Sequence, residues 1–140
     1  MNMKLGLTGL TAMVLAACGE PAQFYPVVRT AIPGGYTLSA VQQPASKGAC
    51  VLANERYAAP IKKDCADCKI EYTGCDSALS GAEKALAAGQ PVAQYSVTSG
   101  TLHVLIGGAE AVAKAVCEQM AAEVAKKGAN KAVCEPPAKP

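Results

Sequence analysis

Seven cysteines in 140 residues restrict this chain more than any other feature. A small protein with so many thiols either folds in an oxidising compartment, where disulfides supplement a limited core, or holds metal. Seven is also odd, so one thiol has a different task from the rest. Position separates it. Cys18 ends an apolar N-terminal stretch, whereas Cys50, Cys65, Cys68, Cys75, Cys117 and Cys134 are spread through the remainder.

Residues 1–18 place Lys4 ahead of an apolar run over residues 5–14 and finish in Leu15-Ala16-Ala17-Cys18. This is the layout of a secretory signal peptide, and the run is shorter than the ~20 residues a spanning helix needs. The last four residues resemble the lipobox of bacterial lipoprotein precursors, in which an aliphatic and two small residues precede an obligatory Cys. The resemblance implies removal of residues 1–17 and attachment of acyl chains, palmitate among them, to Cys18. Those chains are the only attached group expected; no cofactor is. Each buried CH₂ contributes ~0.8 kcal/mol, so two or more chains anchor stably. The next residue is Gly19, not Asp, which by the same resemblance implies the outer membrane of a Gram-negative bacterium.

Charge excludes another class. Thirteen basic residues stand against eleven acidic ones, which argues against a nucleic-acid binder working by phosphate neutralisation. A body this close to neutral also leaves membrane attachment to the acyl chains.

After Cys18 the chain divides into a tether over residues 18–35, one domain over 36–135 and a Pro-rich tail over 136–140. Pro21, Pro26, Pro33, Gly34 and Gly35 mark the tether, in which Phe24 and Tyr25, followed by the strand-like Pro26-Val27-Val28, either dock on the domain or sit in the headgroup zone. Residues 36–41 alternate like a short strand, 42–48 form a polar turn and 50–53 are a short apolar run, together predicting an irregular hairpin or flap. The pattern then sharpens. Residues 69–73 alternate as a half-buried strand, and Ser80 with Glu83 has capping-box spacing ahead of a helix over 81–88 that can stop at Gly89. Strands over 92–98 and 101–106 flank Ser99-Gly100. Val112, Val116, Met120 and Val124 recur every four residues, predicting a helix over 109–127 that stops at Gly128, followed by a closing strand over 130–134. The order predicts an α+β domain: a small antiparallel sheet with two helices on one face, in the ferredoxin-like βαββαβ arrangement. Residues 69–95 and 102–135 form a faint internal repeat within it.

The six later cysteines suit three disulfides in a domain whose core is mostly Val, Ala and Leu. Fifteen pairings are possible, of which Cys117–Cys134 is favoured because the helix and its returning strand cover similar lengths, ~15 and ~20 Å. The remaining four crowd into residues 50–75, where a bridge pins the irregular segment. Cys65-Ala66-Asp67-Cys68 also has redox-pair spacing, but Asp64 and Asp67 disfavour a thiolate. Zinc could draw on Cys50, Cys65, Cys68 and Cys75, although the spacing is irregular. Haem attachment wants His where Lys69 stands. Staples are therefore expected, with no metal site.

No catalytic motif appears, and His103 is the only imidazole. The expectation is a non-enzymatic, outer-membrane-anchored binding or structural module. Its partners are the membrane through the anchor, and peptidoglycan or an envelope protein. The two βαβ halves, with Leu102-His103-Val104-Leu105-Ile106-Gly107-Gly108 leading into an Ala-rich helix, are similar to SPOR-type peptidoglycan-binding domains. The aromatic and Gln/Gly-Ser positions usual around the first strand of that family are absent. The resemblance implies glycan contacts from Tyr72, Tyr95 and His103 wherever they point away from the helices. A periplasmic thiol oxidoreductase using Cys65 and Cys68, and a secretion or mobile-element accessory lipoprotein, are the alternatives.

Overall fold

β-formers in alternation and two long helical runs build nine elements in the computed structural model, which describes residues 22–128 and 131–140. They are β1 (Tyr25–Ile32), β2 (Tyr36–Val41), α1 (Lys47–Asp64), β3 (Lys69–Asp76), α2 (Gly81–Ala87), β4 (Tyr95–Ser99), β5 (Leu102–Gly108), α3 (Glu110–Lys126) and β6 (Ala132–Glu135). The α+β class expected from the sequence is what forms. All six strands join one sheet, ordered β3-β1-β2-β5-β4-β6, and every pairing is antiparallel.

A hairpin, a helix and a returning strand occur twice in this sheet. In β1-β2-α1-β3 and again in β4-β5-α3-β6, the returning strand pairs with the first strand of its own hairpin. The halves meet at the centre through β2 and β5, with Ser39 opposite Leu105. Each half carries its own staple from helix to returning strand, Cys50–Cys75 in the first and Cys117–Cys134 in the second. The internal repeat is thus ββαβ rather than βαβ. The ferredoxin-like order is replaced, because the β1–β2 hairpin separates β3 from β5 and β6 pairs with β4.

Two segments fold where the sequence suggested looseness. Residues 25–32 of the expected tether form β1, an internal strand with Val27 and Val28 fully buried. The expected flap is β2 followed by the 18-residue α1, started by Ser46, whose hydroxyl accepts from the Ala49 N–H at 3.3 Å. Only Cys50, Asn54 and Ala58 of α1 are buried, a four-residue stripe in which none is a large apolar side chain.

Alternation sorts the strand residues onto two faces. On one, Ala40, Val97, Val104 and Ile106 pack with Ala113 and Cys117 of α3, and Tyr57 of α1 joins them. On the other, Leu105 meets Leu86 of α2 and Val92. The helices therefore lie on both faces, α1 and α3 on one and α2 on the other, rather than all on one. The stop at Gly89 forms as expected. Gly89 has φ +71°, its N–H reaches the Leu86 carbonyl, and the Gln90 N–H reaches that of Ala85.

Candidate functional site

The sheet face carrying α2 concentrates the polar side chains that are not spent on backbone. Arg29 of β1, Ser39 of β2 and Tyr72 of β3 come to this face by alternation, and α2 lowers Glu83 onto them. Arg29 donates to Glu83 through Nε at 2.7 Å and Nη2 at 2.8 Å, a two-point geometry that suits a planar guanidinium. Ser39 donates a third bond at 2.6 Å. The Arg29 bonds, and to a lesser degree that of Ser39, hold the Glu83 carboxyl below its ordinary range against the opposing effect of burial. Arg29 also lies over the Tyr72 ring, 4.6 Å from its centre, and the Tyr72 hydroxyl donates to Asp76. Glu83 was expected to close a capping box with Ser80. Ser80 instead makes no side-chain cap bond, and the Glu83 carboxylate is held at the sheet.

Beside this network lies a groove of about 690 Å³. Its walls come from the segment after β2 (Gln42, Gln43), the one after β3 (Ser77), the β4–β5 turn (Thr101) and α2 (Lys84), with Tyr25 and His103 from the strands. These seven residues offer hydrogen-bond donors, Lys84 carries a full positive charge, Pro44, Leu79 and small residues of α2 complete a lining that is apolar over much of its area, and no carboxylate lines the space. The His103 Nδ1 lies 3.1 Å from the Thr98 hydroxyl oxygen, and burial lowers the imidazole pKa while Glu135 partly opposes that.

The three residues singled out as glycan contacts therefore do not share a site. Tyr72 and His103 point to the α2 face, but the β1–β2 hairpin separates their strands. Tyr95 points the other way and packs against the core under α3. Arg29, Ser39, Gln42, Gln43 and Lys84 were not singled out. Only Glu83 had a local signal, and that signal was spent on the capping-box reading.

All six later cysteines are paired. Cys117–Cys134 is the favoured bridge, Cys50–Cys75 ties α1 to β3, and Cys65–Cys68 closes a loop of three positions. The four cysteines weighed as zinc ligands thus fall into two separate bridges, and no group of three or more His, Cys, Asp or Glu suited to a metal occurs among the described residues. Cys65 caps the C-terminus of α1, where the helix dipole is negative, with Asp64 beside it. This is the reverse of the helix-start, positively charged setting that activates a redox cysteine. Cys18 and the rest of the lipobox lie outside the described residues. No helix among the described residues is long and apolar enough to cross a membrane. No protein-family model matches the chain, and no curated protein or solved structure matches it.

Proposed function

We propose that this protein is an outer-membrane lipoprotein of non-enzymatic function, anchored by acyl chains on Cys18, whose stapled body captures a ligand in the donor-lined groove beside α2. The observation that carries the reading is the cysteine arithmetic. Three disulfides use every cysteine after Cys18, which accords with an oxidising compartment and leaves the lipobox cysteine for acylation.

The groove sets the ligand chemistry. A space of about 690 Å³ is large enough for a small molecule or a few sugar rings. Donor side chains set among apolar ones, with one ammonium and no carboxylate, match a ligand that has hydroxyls, apolar ring faces and negative charge, such as a glycan bearing carboxylates. Peptidoglycan, the partner implied by the SPOR-like resemblance, belongs to that class, but here the contacts would come from Gln42, Gln43, Lys84 and His103 rather than from Tyr72 and Tyr95.

Two measurements test the reading separately. Cys18→Ala should move the protein from the detergent-extracted membrane fraction to the soluble one; unchanged fractionation removes the anchor. Muramic-acid-containing fragments of digested sacculi, titrated into the detergent-solubilised protein and followed by ¹H–¹⁵N NMR, should shift residues 42–43, 77–79, 84 and 100–103. Shifts elsewhere, or equal shifts in Lys84→Ala, remove the groove as the site.

A further inference from the structure

The charge of this chain balances in sum but not in space. Antiparallel pairing gathers the start of β1, the ends of β2, β3 and β4 and the starts of β5 and β6 at one end of the sheet. There α1 begins and α3 finishes. This end carries Lys47, Lys84, Lys126, Lys127 and Lys131 against Asp76 and Glu123. The opposite end carries Lys62, Lys63, Lys69, Lys114 and Lys139 against Asp64, Asp67, Glu71, Glu110 and Glu135. One pole is therefore net positive and the other balanced, although the whole chain is nearly neutral.

Three further observations fall at the positive pole. Val51 and Leu52 in the second turn of α1, and Val133 near the start of β6, are 44%, 53% and 45% exposed, three of the four exposed large apolar residues among the described residues. The groove is walled by the segment after β2 and by the β4–β5 turn, so it too lies at this end. The chain enters the body there as well, because Phe24 exchanges backbone hydrogen bonds of 2.8 and 2.9 Å with Ala45, just before α1. Between Cys18 and Phe24 there are only six Cα steps, which span at most about 20 Å.

We infer that the positive pole is a membrane-facing surface that rests on anionic phospholipid headgroups, with Val51 and Leu52 of α1 at the lipid boundary and the groove set on the other, α2 side of the sheet. The inference rests on the acylation of Cys18. Acyl chains supply the attachment, and the uneven charge supplies the orientation. An anionic surface attracts nearby lysines and has no net pull on the balanced pole, and screening confines the attraction to about 8 Å at physiological salt. A tether of at most about 20 Å lets the near pole come into that range while holding the far pole beyond it.

Lysine acetylation of the acylated protein, mapped by mass spectrometry, tests the orientation. In nanodiscs containing phosphatidylglycerol, Lys47, Lys126, Lys127 and Lys131 should react about fivefold more slowly than in neutral detergent micelles, while Lys62, Lys63 and Lys69 stay unchanged. In Lys47→Glu/Lys127→Glu the protection of the remaining pole should disappear with all three disulfides intact. Uniform protection, or protection of the opposite pole, overturns the inference. Intact mass separates the two readings. If Cys18 carries no acyl chain the anchor fails, and the pole is then judged by flotation of the full chain with vesicles. Binding to phosphatidylglycerol that is lost at about 1 M salt upholds the surface, and equal behaviour with phosphatidylcholine overturns it.

Discussion

Arg29 on β1 and Glu83 on α2, 54 residues apart in sequence, meet through two parallel hydrogen bonds with Ser39 donating a third to the same carboxylate. Helices as short as the seven-residue α2 are not stable alone, so tertiary contacts must hold this one. Leu86 against Val92 and Leu105 supplies an apolar anchor, and the Glu83 cluster supplies the second. Since α2 also forms a wall of the groove, the ion pair positions Lys84 one residue further on.

Glu83→Ala should cost about 1–2 kcal/mol, measured by urea unfolding, because it frees a charge-assisted pair that is only partly exposed. Hydrogen exchange should quicken over residues 81–88 and stay slow in β1, β2 and β5. The pH dependence follows from the lowered Glu83 pKa. The folded state favours the carboxylate, so its contribution is complete above the ordinary carboxyl value of about 4.3 and fades as pH falls through the lower folded value. The stability gap between the native protein and Glu83→Gln should narrow near pH 3 and be full at pH 7.

The three disulfides differ in the loop each closes. Cys50–Cys75 and Cys117–Cys134 span 25 and 17 positions, and Cys65–Cys68 spans three. By chain entropy the first two contribute about 3–3.5 kcal/mol each and the third about 2 kcal/mol. Cys65→Ser/Cys68→Ser should therefore keep a cooperative transition and show the smallest fall in midpoint of the three. Cys117→Ser/Cys134→Ser should lose far more, since Cys117 is fully buried in the core under α3. Thermal melts of the double variants give the order.

His103 should titrate below the ordinary imidazole value of about 6.5, followed through its ring protons by NMR. Burial favours the neutral ring. The unfolded chain therefore binds the proton more readily, and stability declines as pH falls through 6.5 toward the folded value. His103→Gln should lessen that decline. Capture of an anionic ligand in the groove should strengthen over the same interval, as the ring becomes charged.

Gly108→Ala should destabilise by about 1–3 kcal/mol, because two constraints coincide there. Its φ is +131°, and an added Cβ would lie 2.9 Å from the Gly35 carbonyl oxygen, backbone that cannot swing aside. Urea midpoints check this, with Gly48→Ala, which meets open space, as the control.

Legibility followed the size of the buried side chains. α3 was readable because Val116 and Met120 pack against the core at four-residue spacing, and its end at Gly128 held. α1 uses the same spacing, but its buried stripe is Cys50, Asn54 and Ala58, and Pro60 interrupts the run, so no hydrophobic period marks it. β1 was hidden among Pro26, Pro33 and Gly34, although Pro26 is tolerated near the strand's start and Pro33 lies beyond its end. Strand order was illegible for a different reason. Alternation states which face a residue takes, and the neighbour of a strand is chosen by packing across the whole sheet. The site suffered most. Arg29, Ser39 and Glu83 come from three distant segments, and nothing local announces their meeting.

The central claim joins a lipid-anchored Cys18 to a body closed by three specific bridges. Peptide mapping by mass spectrometry, on protein purified from membranes without reductant, reads both at once. The account predicts an N-terminal peptide beginning at Cys18 with acyl mass added, and crosslinked peptides joining Cys50 to Cys75, Cys65 to Cys68 and Cys117 to Cys134. An unmodified Cys18, or a Cys18 bridged to one of the other six, contradicts it.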